Sequence, residues 1–176
     1  VPRSLLETFE ALRQAVIDAC PGSIITFANS VISPISLSGG QIRIDKNITI
    51  LGPGTALTVQ NTAAKNYTSR VFHVVLGASA NISGLAISGA NTWGSGGGIY
   101  NEGVLNLANV TVSNNLADSS GAGIYNLGTL TVTNSTISNN LSNSLGYTGI
   151  GAEGGGIYTI SFFGGSLTLI NTTISN

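Results

Sequence analysis

A chain of 176 residues is long enough for one domain with a substantial core, and only 7% of it is charged, with a net charge of −1. That balance gives no electrostatic claim on nucleic acid or an acidic membrane surface, and no apolar run reaches the ~20 residues a membrane-spanning helix needs. Apolar residues make up 42% and recur with strand spacing, so the abundant Gly, Ser, Thr and Asn punctuate an ordered fold.

The chain opens Val-Pro-Arg-Ser without a Met and reads as a processed, trimmed or cloned fragment. Residues 4–19 predict the one helix. Leu5, Phe9, Leu12, Val16 and Ala19 recur at helical spacing, while Glu7, Arg13 and Asp18 turn outward. Ser4 with Glu7 forms a capping box, and Cys20-Pro21-Gly22 ends the helix. Cys20 has no partner for an intrachain disulfide and is expected to be a buried small hydrophobe.

Strand patterning begins at residue 23, with short runs at 24–27, 35–37, 42–44, 47–50, 57–59 and 71–75, then at 81–85 and 87. Residues 62–69 are polar and predict an excursion from a corner. From Gly96 onward the chain copies itself: Gly-Gly-Gly-Ile-Tyr-Asn-Glu-Gly recurs as Gly121 to Gly128, and more loosely from Gly154. Setting Gly103, Gly128 and Gly165 equivalent aligns Leu107, Val132 and Leu169, then Asn109, Asn134 and Asn171, then Val112, Ile137 and Ile174. The step from Asn109 to Asn134 is 25 residues. A unit this short cannot bury its own apolar face, so neighbouring copies must stack. Three short runs per copy with polar corners predict a right-handed parallel β-helix of about five rungs. Residues 1–22 form its helical cap and residues 23–176 the solenoid, a single domain overall.

In this reading Ile42-Arg43-Ile44 and Ile48-Thr49-Ile50 take the Leu-x-Leu and Val-Thr-Val places, and Val71-Phe72 takes that of Ile-Tyr. Ile50 and Ile87 then lie beneath Val112. The outward columns become Thr49, Ala86, Thr111, Thr136 and Thr173, and separately Arg43, Asn81, Asn106, Thr131 and Thr168. Intervals of 37 residues, Ile50 to Ile87 and Ile137 to Ile174, imply inserted loops. Asn109, Asn134 and Asn171 are expected to form a corner ladder whose amides bond from rung to rung, with Asn114, Asn139 and Asn176 alike at the next corner.

Phe-Glu-Ala-Leu-Arg-Gln-Ala-Val, then Pro-Gly, Ile-Thr-Phe-Ala, Arg-Val-Phe-His-Val, and the Gly-Gly-Gly-Ile-Tyr and Asn-Val-Thr-Val-Ser-Asn-Asn motifs resemble the right-handed parallel β-helix repeats of bacterial cell-surface proteins. Those proteins carry an N-terminal segment usually written C-S-L-R-E-A-I, of which residues 10–16 keep Leu12-Arg13 and the final Ala15-Val16 but lack the Cys. The group is similar to polymorphic outer-membrane and autotransporter passenger repeats. The resemblance implies an extracellular, mostly non-catalytic surface protein, although the same fold carries pectate-lyase-like enzymes.

Catalysis on such a scaffold needs clustered carboxylates, a calcium site or a basic residue aimed at a sugar acid. Asp45, Glu102, Asp118 and Glu153 are scattered, and His73 has no carboxylate beside it in the repeat register. No enzyme, cofactor or metal site is expected. Phe72, Tyr100, Tyr125 and Tyr158 recur at one position. Outward, the tyrosines form an aromatic strip for stacking on sugar rings or on another subunit; inward, they are core. Thr columns also suit an ice-binding lattice, but Ala86, Asn106 and Arg43 break them. Asn-x-Ser/Thr triplets at Asn47, Asn66, Asn81, Asn109, Asn134, Asn140 and Asn171 reflect repeat composition, with Asn66 the accessible exception for a glycan.

The sequence stops at Asn176 within a repeat, which implies either continuation of the chain or a covering subunit. Two functions follow as expectations. The first is an adhesin-like structural solenoid that self-associates end to end into a fibre. The second is a polysaccharide-binding or lyase-like module using the tyrosines and the loop at 142–153.

Overall fold

The structure is a computed structural model that describes residues 9–143 and 153–175. Helix α1 (Phe9–Asp18) is followed by β1 (Ser23–Thr26), β2 (Ile35–Leu37) and β3 (Ile42–Ile44), which make the first coil. The second coil is β4 (Ile48–Leu51), β5 (Thr58–Asn61) and β6 (Phe72–Val74). The third adds a two-residue strand: β7 (Ser79–Ser83), β8 (Ala86–Ser88), β9 (Asn91–Thr92) and β10 (Ile99–Asn101). The fourth is β11 (Val104–Ala108), β12 (Thr111–Ser113), β13 (Leu116–Ala117) and β14 (Ile124–Asn126). The fifth is β15 (Thr129–Thr133), β16 (Thr136–Ser138), β17 (Leu141–Ser142) and β18 (Ile157–Thr159), and β19 (Ser166–Ile170) with β20 (Thr173–Ser175) begins a sixth.

Every named strand pair is parallel, and the pairs build long sheets along the coil axis. Sheet A is β1-β4-β7-β11-β15-β19, sheet B is β2-β5-β8-β12-β16-β20, and sheet C is β3-β6-β10-β14-β18. A fourth, short sheet joins β9, β13 and β17, so the later coils have four strands rather than the three expected. The fold is a parallel β-helix.

Alternation sets the core. Ile25, Ile50, Ile82, Leu107, Val132 and Leu169 stack inside sheet A. Inside sheet B the column is Ile35, Val59, Ile87, Val112, Ile137 and Ile174. Sheet C contributes Ile42, Phe72, Ile99, Ile124 and Ile157.

The register of the early coils differs from the sequence reading. Ile42-Arg43-Ile44 belongs to the Ile-Tyr-Asn column of sheet C, and residues 48–51 to the Leu-x-Leu column of sheet A. Ile50 therefore lies under Ile82 rather than Ile87, and Thr49 under Asn81 rather than Ala86, whose neighbour is Thr58. Arg43 leaves the Asn81 column and pairs with His73. Phe72 is inward and His73 takes the tyrosine position, because a one-residue slip exchanges the two faces of a strand. The excursion at 62–69 falls between β5 and β6, and its length hid this register.

Leu12 and Val16 of α1 are buried, and the helix packs against β2 and β3 at the open side of the first coil. Arg13 does not turn outward: its guanidinium donates to the carbonyls of Gly40 and Gln41, each at 2.7 Å. Cys20 is exposed, not buried, because the helix ends before it and the chain turns there. The Ser4–Glu7 capping box and the start of the predicted helix lie outside the described residues.

Candidate functional site

The outer face of sheet C carries the residues with chemistry. Moving up the coils, its outward column reads Arg43, His73, Tyr100, Tyr125 and Tyr158. The tyrosines are half-buried and face outward, since Ile99 and Asn101 on either side of Tyr100 are buried. Tyr100 and Tyr125 stack with centroids 5.1 Å apart and planes 19° apart; Tyr125 and Tyr158 follow at 5.5 Å and 21°. Their broad faces are turned on one another. The column therefore presents ring edges and hydroxyls to solvent, and its use as a flat platform for sugar rings is largely consumed by self-stacking.

Below the tyrosines, His73 meets Tyr100 edge-on at 5.2 Å, and its Nε2 lies 2.7 Å from Glu102 Oε2. His73 thus does have a carboxylate beside it, contrary to the sequence expectation. Glu102 comes from the corner after β10, one coil away, and its approach depends on His73 occupying the tyrosine position. Arg70 Nη1 donates to Gln41 Oε1 at 3.2 Å, which orients the amide so that Gln41 Nε2 donates to His73 Nδ1 at 3.2 Å. With Nδ1 accepting, the ring proton sits on Nε2 and is donated to Glu102. Both imidazole nitrogens are held inside the protein.

Other described carboxylates are also engaged: Asp45 meets Arg43 at 2.7 Å and Lys46 at 3.7 Å, Asp118 pairs with Lys65 at 2.6 Å, Asp18 accepts from Gln14 Nε2 at 2.8 Å, and Glu153 accepts from the Tyr158 hydroxyl. Among the described residues, no cluster of His, Cys, Asp and Glu is arranged to hold a metal ion.

Arg70 lies with its guanidinium carbon 4.8 Å from the Tyr100 ring centre, a cation on an aromatic face. Its Nε donates to the carbonyl of Ser95 at 2.7 Å and its Nη1 to that of Tyr67. Beside it, Tyr67 and Trp93 meet edge-on at 5.6 Å and 77°, exposed by 65% and 50%. The sequence reading missed this pair because neither residue belongs to a repeat column. The corner after sheet C is lined by Leu76, Ala78, Glu102, Gly103, Leu127 and Gly128 and forms a groove of about 630 Å³.

The asparagines divide by role. Asn109, Asn134 and Asn171 line up as expected, but at an exposed corner with φ of 53°, 49° and 48°. Asn171 Nδ2 donates to Asn134 Oδ1 at 3.3 Å on the surface, so this ladder satisfies no hidden group. Asn114 and Asn139 likewise adopt φ of 55° and 53°. The hidden ladders are formed by other residues. Asn101 Nδ2 donates to Asn126 Oδ1 at 2.7 Å, and Asn115 Nδ2 to Asn140 Oδ1 at 2.9 Å, all four being buried. Of the Asn-x-Ser/Thr positions, Asn109 and Asn134 are exposed, whereas Asn140 is enclosed. Asn66 is tied into its own loop, its Oδ1 accepting from Thr68 N at 2.6 Å. Asn176 and residues 144–152 of the proposed binding loop lie outside the described residues.

Burial raises the pKa of Tyr100, with Glu102 and then Tyr125 adding to it and Arg70 opposing. Burial also raises that of Tyr125, and the hydrogen bond to Glu153 raises that of Tyr158. A phenol whose folded pKa lies above its unfolded value, about 10, stabilises the fold below that pH and loses the contribution as pH rises through the folded pKa. The phenolate absorbance owed to Tyr100, Tyr125 and Tyr158 should therefore develop late on the alkaline side, with stability falling over the same range. Titration of these three at the free value, without loss of stability, would contradict this.

Comparison of the chain with protein-family models, curated proteins and solved structures returns no match. The fold defines the class, a parallel β-solenoid; the face just described is the starting point for function.

Proposed function

We propose that the protein is a non-catalytic, adhesin-like solenoid of an extracellular or cell-surface setting, akin to the bacterial surface β-helix repeats it resembles. The observation carrying this reading is the division of the coils into an apolar inside and an uncharged polar outside. Outward columns run through Thr49, Asn81, Asn106 and Thr131 on sheet A and through Thr58, Thr111 and Thr136 on sheet B. Behind them lie Ile50, Ile82, Leu107 and Val132, and Val59, Ile87, Val112 and Ile137. A shaft built this way holds its shape by stacking and presents a regular, sparsely charged surface. Both ring nitrogens of His73 are engaged within the protein, which supports the non-catalytic part.

The chain should leave polyuronates and neutral polysaccharides uncleaved on prolonged incubation; turnover of any of them would sink the non-catalytic part. Labelling of intact source cells with an impermeant antibody tests the surface location.

A further inference from the structure

We propose that Tyr67, Trp93 and Arg70 form a binding site for an acidic saccharide, the sugar ring lying against the two aromatics and its carboxylate on the Arg70 guanidinium. This goes beyond the structural reading and does not depend on it.

Three observations converge. The first is exposure. Trp93 is the one tryptophan of the sequence, and it stands half exposed beside a more exposed Tyr67. Their edge-on contact, unlike the stacked tyrosine column, leaves broad aromatic surface open to a ligand.

The second is rigidity. Trp93 N donates to the carbonyl of Asn66 at 3.3 Å, and the buried Thr92 donates its hydroxyl to the same carbonyl at 2.8 Å. Ser69 Oγ donates to Ala64 O at 2.7 Å and accepts from Asn66 N at 2.8 Å. The Lys65–Asp118 pair pins the loop to the coil two steps on. Aromatics held this firmly lose little freedom when a ligand arrives.

The third is charge. Arg70 has no carboxylate within ion-pair distance among the described residues, and burial lowers its pKa against the opposing pull of Tyr100 and the more distant Glu102. Its Nε and Nη1 are used internally, while Nη2 makes no hydrogen bond to a described residue. Nη2 lies beside Gly94, where a Cβ would stand 2.8 Å from it and 3.6 Å from the Tyr67 ring. The missing side chain leaves the guanidinium edge and the aromatic ring next to each other.

Those features select the ligand. A neutral sugar uses the aromatics and leaves the buried cation unmatched. A small inorganic anion uses the cation and leaves the aromatics bare. A saccharide bearing a carboxylate uses both, through ring stacking and a charge-assisted hydrogen bond.

Because the chain holds a single Trp, its emission reports on this site directly. The full chain is titrated with oligogalacturonate, oligoalginate and sialyllactose, each beside a neutral counterpart. At least one acidic probe should change the emission saturably, bind more tightly than its counterpart, and weaken as salt is raised. By calorimetry, Trp93→Ala and Tyr67→Ala should each lower affinity by about ten-fold with an unaltered thermal transition. Arg70→Gln should abolish the preference for the acidic form. Since Arg70 also anchors the loop, the two aromatic variants and the salt series decide the matter if that variant misfolds. Absence of binding by all three acidic probes, equal affinity for the neutral counterparts, or unchanged affinity in Trp93→Ala overturns the proposal.

Discussion

Gly128→Ala should lower the stability of the solenoid by about 3 kcal/mol, read as a fall in the urea midpoint. A Cβ at this position would stand 2.0 Å from the carbonyl oxygen of Gly103 and 2.8 Å from the carbonyl of Glu102. Both neighbours are backbone, so no side chain can swing aside. The same carbonyl of Gly103 accepts from Thr129 N at 2.9 Å, and that of Gly128 accepts from Ser166 N at 2.9 Å. Relief would require parting coils that these bonds hold together. Gly103 meets the carbonyl of Ala78 in the same way, at 2.3 Å, which is why the repeat keeps glycine at the corner between sheets C and A. Gly77→Ala is the control. It meets nothing within 4 Å but has φ of +85°, so it should lose only about 1 kcal/mol through backbone strain. Equal losses at the two positions would show that the close approach between coils does not matter.

Asn115→Ala should cost about 3 kcal/mol, well above Asn109→Ala at about 1 kcal/mol. Asn115 Oδ1 accepts from Ala90 N at 3.2 Å, and its Nδ2 donates to Ile87 O at 3.2 Å and to Asn140 Oδ1 at 2.9 Å. Truncation strips partners from groups that water does not reach. Asn109 is exposed, and its value to the fold is a backbone that turns readily through φ 53°. Asn109→Gly should accordingly be close to neutral, whereas Asn115→Gly should be worse than Asn115→Ala. Denaturation midpoints of the four variants separate the two roles. If Asn109→Ala proves the more damaging, the assignment of the load to the buried pair is wrong.

The Ser-Asn-Asn sequences at 113–115 and 138–140 show how much of this was legible. Their recurrence, and that of Asn109 with Asn134, placed the residues in register and gave the stacked parallel architecture. Spacing alone does not distinguish the first Asn, which bends the chain outside, from the second, which turns into the core. That distinction rests on backbone dihedrals. The early coils were misplaced for a related reason: Ile-Arg-Ile and Ile-Thr-Ile have the same alternation, and only pairing with Phe72 and Ile82 tells which sheet each joins. Phe72 invited alignment with the tyrosines by chemical likeness, yet His73 occupies that place, and with it the contact to Glu102 was lost from view. The Tyr67–Trp93 pair was invisible to repeat analysis because Tyr67 sits on the 62–69 excursion and the place of Trp93 is taken by Asp118 one coil on, so neither aromatic recurs.

Between the third and fourth coils every strand is paired at an offset of 25 residues, as Asn101 is with Asn126, and that has a consequence for how such a chain grows. Each segment docks on the one laid down a single period earlier, so ordering can advance like a zipper once a first pair has met. Duplication or loss of one whole period leaves every other pairing as it was. Length thus becomes a quantity that recombination can tune while the architecture stays the same.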